Sequence, residues 1–180
     1  MKRIILFAIM VGSTTIMFAQ GLFTTKNATV SFFSKTPVED INATCTTANA
    51  LINTEGAVAF VINNTSFNFP NKLMQEHFNE KYMESEKYPM STFKGKINEP
   101  IDFTKDGVHQ VTATGKLNIH GVEVDRTIPG TLTIKDGNIN IVSDFKVKVA
   151  DHKITIPKLV ITKIAEVVDV NVNADLIPKK

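Results

Sequence analysis

The chain has no tryptophan, only two tyrosines and a single cysteine in 180 residues. One thiol cannot staple a chain to itself, so a disulfide scaffold is excluded and stability has to come from burial. Cys45 lies in Ile41-Asn42-Ala43-Thr44-Cys45, on one side with Ile41 and Ala43 if that run is extended. It reads as a small buried hydrophobe, since the sequence nominates no base that would make it a nucleophile. Catalytic signatures are missing as well: there is no Ser-His-Asp ordering, no G-x-S-x-G elbow and no phosphate-cradling glycine loop. An excess of charge is also lacking. Beyond Lys2 and Arg3, 18 of the 20 basic residues remain against 18 acidic ones. A neutral, interspersed surface carries no electrostatic footprint for nucleic acid.

Long apolar runs are confined to the N-terminus. Lys2 and Arg3 precede a mostly apolar stretch, residues 4–18, which ends at Ala19-Gln20. This is the pattern of a secretory signal peptide over residues 1–19, and the run is short for a membrane span. Met17 at the −3 position is larger than usual, which leaves the exact cleavage site open, and an uncleaved anchor is the alternative. No cysteine follows closely, so no lipoprotein anchor is expected. A chain of 180 residues less a 19-residue leader leaves 161, enough for one domain over residues 20–180. No stable membrane span is expected after cleavage.

What is present is period-two alternation. Over residues 111–119, Val111, Ala113, Gly115, Leu117 and Ile119 fall on one face, and Gln110, Thr112, Thr114, Lys116 and Asn118 on the other. That is a half-buried antiparallel strand. Gly121 breaks it; Val122, Val124 and Ile128 lead through Pro129-Gly130 to Leu132 and Ile134. Asp136-Gly137 is a hairpin turn before Ile139, Ile141 and Phe145. A last strand alternates Val168, Val170, Val172, Ala174 and Leu176 with Asp169, Asn171 and Asn173. Residues 29–34, 41–52 and 57–62 are further strands, with Glu55-Gly56 as a turn. Phe67 and Phe69 share a face before Pro70.

Two stretches break the pattern. Over residues 71–85, Leu73, Met74, His77, Phe78 and Tyr82 form a helical stripe, with Asn71 as its cap and Tyr88-Pro89 as its end. The segment around it holds Met74, Met83 and Met90, the only methionines outside the leader, and both tyrosines. Over residues 157–166, Leu159, Val160 and Ile164 could make a helical turn. About eight antiparallel strands in one domain give an all-β barrel or sandwich. An eight-stranded barrel is wide enough either for packed side chains or for one small ligand. Ala113 and Gly115 leave room inside, although a bend or bulge is the more ordinary reason for a mid-strand glycine. The helix then either covers one end of the barrel or packs as ordinary core.

Glu76, His77, Glu80 and Glu84 are the one dense group of metal-ligand types, with Glu76, Glu80 and Glu84 at i, i+4 and i+8 on one helix face. A lone helix does not complete such a site, so this is read as a solvated acidic face and no metal is expected. His120 is expected to bond backbone in a turn, and His109 and His152 to be surface or loop residues. Asn27, Asn42, Asn63 and Asn64 begin N-x-[ST] sequons read as incidental polar strand positions.

Three passages in order, "SFNFPNKLMQEHFNEKYMESEKYPMSTFKG", "VTATGKLNIHGVEVDRTIPGTLTI" and "DHKITIPKLVITKIAEVVDVNVNADL", carry a resemblance. Their most specific pieces are Tyr88-Pro89 with Thr92-Phe93, Gly115-Lys116-Leu117 leading to His120-Gly121-Val122, and Ile156-Pro157. Together they resemble the YceI-like family of exported lipid-binding proteins. The resemblance implies a lipocalin-like antiparallel β-barrel of about eight strands with a helical lid insertion. It also implies an apolar pore for an isoprenoid-like lipid or other amphiphile, export to the periplasm or beyond, no catalytic residues and no cofactor.

On that basis the ligand-binding residues are expected to be Phe67, Phe69, Phe93, Val111, Ala113, Leu117 and Ile119 in the barrel, with Leu73, Met74, His77, Phe78 and Tyr82 in the lid. His77 is the expected partner of a headgroup. The mechanism is then passive: pore, moving lid, polar headgroup at the mouth. Two other readings stand beside it. One is an enzyme on a small apolar substrate using His77 with Glu80 or Tyr82; the other is a structural envelope-stress domain with a filled barrel. A homodimer stays open.

Overall fold

The computed structural model describes residues 21–38, 40–156 and 164–179. The leader, with Leu159 and Val160 of the second break, lies outside the described residues. Eight antiparallel strands run β1 (Leu22–Lys35), β2 (Asp40–Asn53), β3 (Ala57–Asn63), β4 (Met90–Ile97), β5 (Gly107–Ile119), β6 (Val122–Lys135), β7 (Asn138–Lys148) and β8 (Val167–Pro178). They pair in chain order, and β8 returns to β1 to close the barrel. Each strand has a neighbour on both sides, although β3 pairs only with Asn49–Ile52 of β2 and β7 only with Thr131–Lys135 of β6.

The local chemistry explains the hairpins. His120-Gly121 and Asp136-Gly137 are two-residue turns with all four φ angles positive, joining Ile119 to Val122 and Lys135 to Asn138. Such turns match the right-handed strand twist and favour Asp-Gly-like pairs. Between β2 and β3, Asn53 Oδ1 accepts from the N–H groups of Glu55 and Ala57, at 3.1 and 2.8 Å. β6 continues through Pro129-Gly130, because its ladder to β7 is confined to Thr131–Lys135. Beyond that, side chains hold β6 and β7 together: Ser143 Oγ donates to the Pro129 carbonyl and Arg126 Nη2 to that of Lys146, each at 2.6 Å.

The barrel is closely packed at the end of the β2–β3 and β6–β7 turns. Ile52, Leu132, Ile139 and Leu176 are fully buried there, beside Ala48, Ala50 and Ala174. Phe23 and Phe103 stack beside this floor, 6.4 Å between centroids. Each large aliphatic buried here stabilises the fold by about 1.5–3 kcal/mol. Cys45 belongs to the same core, fully buried opposite Val30.

Several expectations change. Gly115 does not make room for a ligand. It pairs directly with Gly95, and a Cβ built on Gly115 would meet the Lys94 carbonyl at 2.2 Å and Gly95 Cα at 2.4 Å. The two glycines let β4 and β5 approach closely, while the Phe93 ring lies over Gly95. His109 lies within β5, half-buried. His152 is not at the surface: it is fully buried, and its Nδ1 bonds the Val122 carbonyl at 3.0 Å. Burial pushes its imidazole below the ordinary histidine pKa, which keeps the ring neutral. Asn64 is not an incidental strand residue but a buried tie. Its Nδ2 donates to the Tyr88 carbonyl at 2.6 Å, and its Oδ1 accepts from Ser91 Oγ at 2.7 Å.

Candidate functional site

The end of the barrel opposite the packed floor is spanned by the long β3–β4 connection. A short 3-10 turn, Asn64–Ser66, leads into Phe67–Pro70; Asn68 bridges to Thr44 on β2. The helix α1 (Lys72–His77) follows, capped as expected by Asn71 Oδ1, which accepts from Leu73 N–H at 2.9 Å. It continues as a π turn over Phe78–Tyr82, in which Met83 N–H donates to the Phe78 carbonyl at 2.8 Å. Widened turns of this kind are frequent at functional sites.

The π turn overturns one expectation. Glu76, Glu80 and Glu84 do not share a helix face, because the helix has ended before Glu84, whose φ is +42°. Glu84 instead reaches the barrel, with Oε2 at 2.6 Å from His120 Nε2. His120 does bond backbone as expected, its Nδ1 lying 3.3 Å from the His152 carbonyl. Tyr88 packs edge-on against His120 and over Gly121, where a Cβ would meet its ring at 2.5 Å. The lid is thus fastened at its far end by Tyr88, Glu84 and the Asn64 tie. Among the described residues no group of three metal-ligand side chains converges.

Under this lid lies a cavity of about 530 Å3. All twelve residues singled out from the sequence border it. Phe93, Val111, Ala113, Leu117 and Ile119 line the barrel wall, and Phe67 and Phe69 approach from the lead-in. Leu73, Met74, His77, Phe78 and Tyr82 face it from the lid, Leu73 at the rim with 56% of its surface exposed. Phe78 is the centre of an aromatic cluster, with ring centroids 5.5 Å from Phe32, 5.6 Å from Phe67 and 5.1 Å from Phe69. Such contacts contribute about 0.5–1.5 kcal/mol per pair beyond area burial. Glu80 is exposed and does not border the cavity. Tyr82 does, and burial pushes its phenol up from the ordinary range.

Sequence reasoning missed Phe32, Phe60 and Phe145, which also line the wall, and Ile97 and Ile128. Alternation turns Phe145 of β7 inward, and within β1 and β3 it would have done the same for Phe32 and Phe60. Their depth depends on register around the barrel, which alternation does not give.

Comparison with known proteins fits this geometry. A domain of a Saccharophagus degradans protein, described as a polyisoprenoid binding domain implicated in plant cell wall breakdown, superposes with a TM-score of 0.72. The two are 17% identical over 89% of this chain and 99% of that one. BcnA of Burkholderia cenocepacia gives 0.68 at 18% identity, over 83% of this chain and 95% of its own. The YceI protein of Campylobacter jejuni gives 0.54 at 20% identity, over 100% and 99%. At these identities the likeness establishes the fold. A search of curated proteins gave no match. A family model for the YceI-like domain matches residues 10–176. With nearly the whole chain matched, the protein belongs to the YceI-like family.

Proposed function

We propose that this protein is an exported carrier or sequestering protein that holds a polyisoprenoid or similar amphiphilic lipid in the barrel cavity. The observation that carries the reading is the cavity itself, about 530 Å3 of space walled by aliphatic and aromatic side chains. That lies within the ~300–1,000 Å3 typical of small-molecule sites. A domain with a filled barrel would have extended the packing of Ile52, Leu132 and Leu176 up to the lid. At ~30 Å3 per heavy atom, the volume takes about 18 atoms of an apolar chain. Each buried methylene contributes about 0.8 kcal/mol before the costs of association. The polyisoprenoid-binding description of the Saccharophagus degradans domain supports the same ligand class.

The pattern of residues 1–19 supports export to the periplasm or the medium. Among the described residues no helix is long and apolar enough to cross a membrane. Of the two pairs in the enzymatic reading, His77 with Tyr82 borders the cavity and His77 with Glu80 does not.

Phe78 gives the test. Phe78→Asp removes the centre of the aromatic cluster and turns a carboxylate toward the cavity. Prenol binding, followed by native mass spectrometry or tryptophan-free fluorescence displacement, should fall at least about tenfold, while far-ultraviolet circular dichroism retains its β signature. Unchanged affinity would remove the lid from the site. Loss of folding would make the lid ordinary core.

A further inference from the structure

The backbone ladder of the barrel has gaps in the half nearer the lid. The gap between β2 and β3 is filled by the lead-in to the lid, where Asn68 pairs with Thr44 and Phe67 is buried. The gap between β6 and β7 is crossed by side chains. At Gly130 the two strands still approach closely, since a Cβ there would meet the Val142 carbonyl at 3.0 Å. The ladder ends at Thr131, and the next rung has no donor, because Pro129 carries no N–H.

The seam that begins there runs alongside the cavity. Pro129 is exposed on the outside and borders the cavity on the inside, so the wall is one residue thick at this point. Its carbonyl is already taken by Ser143 Oγ at 2.6 Å. An apolar chain passing here therefore strips no unpaired Pro129 group of water. The inner lips are apolar, Ile128 on β6 and Phe145 and Val147 on β7. Charge draws each lip toward the strand behind it: Asp125 of β6 pairs with Lys116 of β5, and Lys146 of β7 with Asp169 of β8. Among the described residues no ion pair crosses the seam. On the lid side of Pro129 the tie is Arg126, whose Nη2 donates to the Lys146 carbonyl in an exposed hydrogen bond of 2.6 Å.

Inside the barrel a long tail soon runs out of room. Ile52, Leu132 and Leu176 fill the far end, and the cavity takes about 18 heavy atoms. We propose that the β6–β7 seam is a side passage through which the tail of a lipid longer than the cavity leaves the barrel, with Arg126 as the tie that yields. This rests on the lipid-binding reading above and adds that the cavity volume does not cap the length of the chain.

The experiment locks the seam. Thr127 and Lys146 lie opposite each other when the β6–β7 register is continued past the ladder, and both are exposed. A protein carrying Thr127→Cys and Lys146→Cys is joined by a short bis-maleimide; Cys45, fully buried, does not compete. The probes are farnesol, of about 16 heavy atoms, and solanesol, a prenol of about 45 carbons. The parent and the uncrosslinked variant should bind both. The crosslinked protein should keep its farnesol affinity within about twofold and lose solanesol affinity at least about tenfold. Solanesol held as tightly after crosslinking, or refused by a parent that binds farnesol, overturns the passage and leaves lipid binding intact. Refusal of both prenols by the parent overturns the lipid reading and this inference with it. Arg126→Ala tests the seam without a crosslink: solanesol should dissociate at least about fivefold faster, and farnesol at the parent rate. Solanesol release that stays at the parent rate overturns the inference.

Discussion

An Ala113→Trp protein should fold as its parent does and lose lipid affinity by about 100-fold or more. Ala113 lies on β5, paired with Ile97 and Ile128, and its side chain borders the cavity. An indole adds about nine heavy atoms, which at ~30 Å3 each occupy on the order of half of the 530 Å3 available. The lost space corresponds to about nine buried methylenes at ~0.8 kcal/mol apiece, so a 100-fold loss is a conservative expectation. Filling an empty apolar space adds contacts, so the melting temperature should hold or rise. Ala113→Leu should give an intermediate loss. Isothermal titration with a prenol checks the affinity and thermal denaturation checks the fold. An indole that left affinity unchanged would place the ligand elsewhere.

Gly115→Ala should destabilise the barrel by about 3 kcal/mol, at the upper end of the usual overpacking range. Alanine in a strand ordinarily gains about 0.5–1 kcal/mol over glycine, so the expected sign is opposite to the propensity. The reason is the contact: a Cβ at this position meets the backbone of Lys94 at 2.2 Å and of Gly95 at 2.4 Å. Backbone in a closed barrel cannot step aside as a side chain can. In a domain of this size each kcal/mol moves the melting temperature by about 2–4 °C. The control is Gly137→Ala, at φ +73° with nothing within 4 Å, where only the left-handed backbone cost of about 1–2 kcal/mol applies. Equal losses at the two positions would mean that the close approach of β4 and β5 contributes nothing.

These two residues also show what could be read in advance. Alternation put Ala113 and Gly115 on one inward face, and Ala113 does border the cavity. What alternation could not say is that Gly115 lies opposite Gly95. That needs the register of β4 against β5, which is set by pairing partners distant in the chain. The same limit hid Phe32, Phe60 and Phe145 from the candidate site. The lid was legible because a helical stripe with an Asn cap is a local signal. Its ending was not: the π turn and the left-handed Glu84 moved that carboxylate off the helix face and onto His120. His152 and Asn64 were misjudged for a related reason. A histidine assigned to a loop or an asparagine assigned to a strand reads as unengaged unless its distant partner, here Val122 or Tyr88, is known.

The central claim is that the space under the lid is a lipid site and not a packing defect. Native mass spectrometry on protein purified gently from the cells that make it, followed by organic extraction, tests this most directly. The account predicts a stoichiometric adduct that extracts as one amphiphilic lipid with a buried tail of about 18 heavy atoms. A clean apo mass, with no uptake of added prenols, would contradict it and leave the cavity as unfilled space in a structural barrel.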